Sequence, residues 1–360
     1  MAISNRIKMI SLSTILVVGG LVGYKFVGVN ENIIPDSIKI SVIEKKIIDV
    51  LDQKKLENRI SSYKDVKCLS GNEGIDCTVF DINSSSTGIS FFASSVIFKN
   101  FEKSNKFFDS NGTLLNNGET TVLDVYIENI LVNDKPLLLS NMNLEQLPDN
   151  KFKDLKKVLK KSFDSKTNIN FKLSLEQEKN EHIVDLDTSI FNNSFKIENK
   201  LSLINKDPKN KNFSISNLKN FGENIVVTNF DFKMSDKNEL FSNALYSFYT
   251  SQIKSYGPKL ANEFFQLNGS TELNKIDFNK EAEIQVKDNL MKKYQIYDSS
   301  LPNIHKLIKI NVFINKINDL ISGRSNSIEI SLKEQKISLK DFLTFVGMKK
   351  NNKNINLEIK

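Results

Sequence analysis

Four residues of this chain belong to the types that most often do chemistry near neutral pH: Cys68, Cys77, His182 and His305. The two cysteines flank Leu-Ser-Gly-Asn-Glu-Gly-Ile-Asp. Three chemistries are open to such a pair. A redox-active dithiol usually has C-x-x-C spacing and a depressed thiol pKa, and this spacing is wider. A zinc site takes four nitrogen or sulfur ligands, and both histidines lie far away in sequence. A structural disulfide needs only close approach, which Gly71, Asn72 and Gly74 supply as turn formers between strand-like Tyr63–Cys68 and Ile75–Ile82. The disulfide is the favoured reading, and it implies an oxidising compartment.

The histidines offer less. His182 stands near Asp185 and Asp187, but at odd separations from both. On a regular strand it points to the face opposite the two carboxylates, which argues against a His–Asp site. His305 falls in a Lys-rich stretch and reads as a surface residue. No G-x-S-x-G, P-loop, H-E-x-x-H, C-x-x-C or EF-hand pattern occurs. The 43 acids are scattered, so no carboxylate pair stands out for acid–base work. We therefore assign no catalytic, metal-binding or cofactor-binding residue and expect no cofactor. The expectation is a protein that is not an enzyme.

Composition narrows the partners. The chain has 360 residues, 39% hydrophobic and 26% charged, which suits a sizeable folded core and argues against wholesale disorder. The net charge of +7 invites a nucleic-acid reading. Only Arg6, Arg59 and Arg324 are arginines, however, and arginine is the side chain best shaped for phosphate and guanine. Abundant Lys, Asn, Ile and Phe fit an AT-rich bacterial genome and a solvated basic surface. No nucleic-acid partner is expected.

The N-terminus carries the clearest signal. Arg6 and Lys8 precede an uncharged run from Met9 to Tyr24, and the first 25 residues hold no acid. Those 16 residues span about 24 Å as a helix, short of a hydrocarbon core. Extending the run through Lys25 to Val29 gives about 31 Å, with Lys25 able to reach the headgroups. A cleaved signal peptide and a buried helix compete with a signal anchor. No A-x-A cleavage site is present, and Val18-Gly19-Gly20 is a poor substitute. No cysteine follows the run, so a lipoprotein is excluded. We take residues 9–29 as an anchor. The flanking positive charge keeps the N-terminus in the cytoplasm and places the rest outside.

The elements that position the cysteines and histidines follow from periodicity. Ile43, Ile47, Val50, Leu51 and Ile60 predict an amphipathic helix over roughly 41–60. Strands are expected at Ile89–Phe101, Thr120–Val132 and Pro136–Leu144, with a turn-rich Phe101–Gly118 between the first two. Pro148 opens a basic amphipathic helix, Asp149 to Phe163. An antiparallel meander then follows. Ile169, Phe171, Leu173 and Leu175 form one apolar face; Val184, Leu186 and Ile190 form the next. Phe195, Ile197, Leu201 and Leu203 continue it after an Asn192-Asn193 turn. Further strands are expected at Phe213–Leu218 and Ile225–Met234. Asp236 and Glu239 suggest a capping box and a helix over 237–255. Beyond a Gly257-Pro258 break, 272–278 and 283–287 read as strands, and 303–321 as a helix rather than a strand. Ser327–Leu332 and Ile355–Ile359 read as strands around a short helix, Leu339–Val346.

This order excludes a regular βαβ alternation. The expected fold is α+β, mainly antiparallel sheet with several amphipathic helices, behind one transmembrane helix. The expected parts are an anchor, 1–29, an N-terminal α+β part with the disulfide hairpin, 30–147, and a meander part, 148–360. The combination of anchor, early helix, paired cysteines and long amphipathic strands resembles bacterial inner-membrane envelope proteins of the YdgA-like kind and, more distantly, AsmA-like lipid-handling proteins. The resemblance is one of architecture and brings no site residue. It implies a periplasmic β-rich body, and at the AsmA-like extreme an apolar groove for acyl chains. Three functions follow: an envelope protein that binds or scaffolds other proteins, a lipid-binding or lipid-transfer module, and an exported hydrolase with an unrecognised site. The first is the leading expectation. Two-sided apolar strands, such as Ile89–Phe101, would favour the second.

Overall fold

The computed structural model describes residues 36–86, 89–101, 113–114, 117–140, 156–157, 159–161, 163–178, 181–206, 212–213, 225–237, 239, 316, 319–320, 324–332, 336–346 and 357–360. Residues 9–29, the expected anchor, lie outside them. So do His305, the Gly257-Pro258 break and the elements expected at 272–278 and 283–287.

The described residues form mostly antiparallel β-sheet. The chain divides into two compact units that are discontinuous in sequence. The first comprises residues up to Met142 with Lys166–Ile190 and Leu201–Val226; the second takes Asn143–Ser165, Phe191–Lys200 and Val227 onward.

The first unit opens with helix α1, Asp36–Leu56. Ile47, Val50 and Leu51 bury its apolar stripe. The helix begins and ends earlier than the periodicity suggested. Its stop is Asn58, at φ 57°, a left-handed position that asparagine tolerates. Arg59 N–H returns to Lys54 O at 2.9 Å and Asn58 N–H to Lys55 O at 3.0 Å, which is a Schellman closure. Ile60 is buried, as its place in the apolar pattern implied, but from the segment after the helix.

Strands β1 (Asp65–Ser70), β2 (Ile75–Ser86) and β3 (Ile89–Lys99) follow as antiparallel neighbours. A two-residue strand β4 (Thr113–Leu114) comes before β5 (Thr120–Val132), which pairs with β3. Strand β6 is only Lys135–Pro136, joined to β5 across Asn133-Asp134. Both turn residues have positive φ, 51° and 59°, the backbone of a type I′ hairpin. The strand expected over Pro136–Leu144 is therefore corrected over 137–140, and residues 141–144 lie outside the described ones. Pro136 cannot donate to a ladder, and Leu137–Ser140 form a helical turn, α2, with Leu137 buried. Strand β7 (Asn168–Glu178) pairs with β5, and β8 (Glu181–Phe191) follows β7. Strand β9, Phe195–Asn205, begins among the second unit's residues and ends among the first's, and β10 (Asn212–Phe213) pairs with β4. Residues 214–218 of the strand expected after Phe213 lie outside the described ones.

A crease runs across three of these strands. On β2 the buried positions step by two, Ile75, Cys77, Val79, and then by three to Ile82. On β5 they run Leu123, Val125, Ile127 and then Ile130; on β3, Phe91 and Ala93 are followed by Val96 and Phe98. The pairs Phe80↔Ser95↔Glu128 and Ile82↔Ala93↔Ile130 bracket all three steps, so they lie side by side. Asp81 and Asn129 stand in the crease at φ 52° and 50°. On β2 and β5 a residue outside the β region turns the next side chain onto the same face, so both strands stay apolar on one side through the crease; on β3 between them, Ser95 and Val96 are both buried. Each fully buried Leu, Ile or Val there contributes about 1.5–3 kcal/mol relative to exposure.

In the second unit, β11 (Ile225–Asp236) pairs with β12 (Ser327–Leu332), which pairs with β14 (Leu357–Ile359). The two-residue β13, Ile337–Ser338, leads into α3, Leu339–Val346. Ser338 Oγ accepts from Asp341 N–H at 3.2 Å and starts that helix. Phe342 packs edge-on against Phe230, and Phe163 against Phe195, each with centroids 5.1 Å apart. The helix expected to start at 237 does not start there. Asp236 is still on β11, with its N–H bonded to Asn326 O, while Lys237 N–H reaches Ser194 O and Glu239 has φ 58°. Residues 240–255 lie outside the described ones. Described residues 316, 319 and 320 are helical, as are 156, 157, 159–161 and 163. Phe163 is buried and Lys157, Lys160 and Lys161 are exposed, the two faces that the pattern assigned.

Candidate functional site

Cys68 and Cys77 are directly opposite on β1 and β2 and joined by a disulfide, with Cα atoms 4.1 Å apart. Both are buried. The turn between the strands is tighter than the eight intervening residues suggested. Leu69↔Asp76 and Ser70↔Ile75 are still paired, and Gly71 N–H donates to Gly74 O at 2.6 Å. Gly74 is at φ 147°, and a Cβ there would lie 2.7 Å from Asn100 Oδ1. Asn100 in turn donates from Nδ2 to Glu73 O, which fixes the turn against the end of β3.

Helix α1 lies against this hairpin. Glu44 Oε1 accepts the N–H of Cys68 at 2.7 Å. Eight residues further along the helix, Asp52 Oδ1 accepts the Tyr63 hydroxyl at 2.9 Å. The helix therefore runs antiparallel to β1. The Tyr63 phenol is pushed up to about 12, first by desolvation and then by the hydrogen bond to Asp52. Strand β1 ends the strand path of the sheet, so its outward N–H groups have no strand to meet. Glu44 takes that of Cys68, and the Asp65 carboxylate takes that of Val66 at 2.9 Å. Side-chain carboxylates thus occupy an edge that could otherwise pair with another chain.

Two polar groupings cross the strands. Asp76, Lys99, Asp124 and Lys172 form a ladder of alternating charge from β2 to β7, with Lys99 Nζ 2.7 Å from Asp76 Oδ2. Burial raises the Asp124 carboxyl above its usual range, and the two flanking lysines oppose that rise. Along the crease, Ser95 Oγ donates to Glu128 Oε2 and Ser94 Oγ to Glu128 O. These contacts tie β3 to β5 where the alternation breaks. Among the described residues, these contacts bring no imidazole or amine to Ser95.

His182 is buried on β8 beside Val184, while Asp185 and Asp187 are exposed. The structure separates this histidine from the two carboxylates, as the odd spacing implied. Among the described residues, no group of three or more His, Cys, Asp or Glu side chains could hold a metal ion. Glu44 is the contact that sequence reading missed, since it lies 24 residues from its partner and on the half-buried flank of an ordinary helix. Among the described residues, no helix is long and apolar enough to cross a membrane.

No protein-family model matches the chain, and no curated protein matches it either. The site therefore rests on its own residues.

Proposed function

We propose that the protein is a single-pass bacterial inner-membrane protein, tethered by residues 9–29, whose exported β-rich body binds or scaffolds other envelope components. The observation that carries this reading is the pairing of the only two cysteines of the chain as a cystine. A cystine persists in oxidising surroundings and is rare in the cytosol. The positively flanked apolar run ahead of the body supplies both the export signal and the tether.

A reporter fusion tests it. Alkaline phosphatase joined after Lys360 is active only when exported. Activity with the full chain, and its loss on deletion of residues 1–29, is the expected result; activity that survives the deletion, or none with either chain, contradicts it.

One observation favours a second reading, a lipid-binding body. Strand β3 buries Phe91, Ala93, Val96 and Phe98 and also keeps Phe92 and Ile97 half-buried at alternate positions. An acyl-chain groove uses such two-sided strands. Mass spectrometry of organic extracts from residues 30–360, purified without detergent, separates the two readings. Stoichiometric lipid supports the second, and a lipid-free folded body supports the first.

A further inference from the structure

We infer that one end of the first unit, formed by the first turn of α1 and the Gly71–Gly74 turn, faces the lipid surface and touches it through Ile38 and Leu69. The inference rests on the anchor reading given above. Its geometry comes from three observations.

The first is reach. Only residues 30–35 separate the apolar run from α1. The seven steps from Val29 to Asp36 span at most about 25 Å when fully extended. Whatever their conformation, the start of α1 stays within that distance of the end of the run. The bilayer is then the nearest large surface to this end of the body.

The second is direction. Because α1 runs antiparallel to β1, the hairpin turn lies at the helix's N-terminal end. Glu44 sits beside Cys68, and Leu69, Ser70 and the Gly71–Gly74 turn continue from there toward the start of α1. Ile38 lies six residues before Glu44, about 9 Å along the axis. Ile38 and Leu69 therefore belong to the same end.

The third is exposure. Ile38 is 50% exposed and Leu69 is 71% exposed, two of the four exposed large apolar side chains among the described residues. Leu56, 84% exposed, stands at the other end of α1, about 27 Å from Ile38 along the axis. An apolar side chain at the membrane side gains by entering the headgroup–acyl boundary; on the inferred orientation Leu56, at the far end of α1, stands away from it.

The chain contains no tryptophan, which permits a direct test. Single variants Ile38→Trp, Leu69→Trp and Leu56→Trp of the full chain are incorporated in vesicles of phosphatidylethanolamine and phosphatidylglycerol. A fraction of spin-labelled phosphatidylcholine serves as quencher. All three substitutions are at exposed positions, and unreactive thiols in each variant verify the intact hairpin. The expected result is loss of about half the emission at positions 38 and 69, with little loss at 56. Equal quenching at all three positions, or none at 38 and 69, overturns the inference. Flotation of the same samples separates the two claims. Protein that floats with the vesicles but is unquenched at 38 and 69 overturns only the orientation. Protein that does not float overturns the anchor and the orientation together. Tryptophans at 38 and 69 that resist both lipid quencher and aqueous iodide report a protein cover, which also overturns the lipid contact.

Discussion

The carboxylate of Glu44 accepts the backbone N–H of Cys68 at 2.7 Å, so a helix side chain closes the free edge of the strand that carries the disulfide. This bond joins residues 24 apart and fixes α1 in register with the hairpin. An outward N–H on an edge strand is otherwise satisfied by water or by another chain. The bond therefore affects both stability and association.

Removing it should do two measurable things. Glu44→Ala should lower stability by about 1.5–3 kcal/mol, the range for a hydrogen bond to a charged acceptor, and should promote concentration-dependent self-association. Glu44→Gln keeps an acceptor oxygen and should recover part of the loss. Urea denaturation and light scattering measure the two effects. Equal stability of Glu44→Ala and the parent chain contradicts this role.

The disulfide closes a short loop. Replacing both residues, Cys68→Ala with Cys77→Ala, should cost about 2–3 kcal/mol on the chain-entropy model. The variant should then be insensitive to reductant, whereas the parent should fall to its level when reduced. Denaturation with and without dithiothreitol provides the comparison. A parent chain unaffected by complete reduction would remove the hairpin from the account of stability.

Tyr63 predicts an alkaline limit. Its folded pKa, about 12, lies above the ordinary value of 10.0, so the folded state holds the proton more tightly than the unfolded state. The stability it contributes is fully present below pH 10 and is lost as pH rises through 12. Asp52→Asn removes the neighbouring charge and should lower the Tyr63 pKa, though not to its ordinary value, because desolvation remains. The difference in near-ultraviolet titration between the parent and Tyr63→Phe isolates this tyrosine from the other seven. A Tyr63 that titrates with the others, or no change on Asp52→Asn, would show that the hydrogen bond to Asp52 does not hold the proton.

Strict periodicity was legible at the level of single residues. Thr120–Val132, Ser327–Leu332 and Leu339–Val346 form the elements that their patterns imply, with the expected bounds. The cysteines also declared their pairing, because two turn-forming glycines stand between two strand-like runs. Other features had no local signal. The stop of α1 depends on Asn58 adopting a left-handed conformation, and nothing in the apolar stripe marks that residue. The crease depends on Asp81 and Asn129 doing the same on the two strands that flank β3, which period-two reading cannot foresee. The capping-box pattern at Asp236 misled because backbone pairing to Asn326 outweighs a side-chain cap. The Glu44 contact is non-local, and a glutamate on a half-polar helix reads as solvated surface.

The claim of an exported, anchored body is tested most directly by trapping the thiols in intact bacteria. Cells expressing the full chain are quenched with acid, alkylated with a mass-tagged maleimide and fractionated. The account predicts a protein in the carbonate-resistant membrane fraction that takes no tag before reduction and two tags after it, one each at Cys68 and Cys77. A soluble cytoplasmic protein that takes both tags without reduction would contradict it.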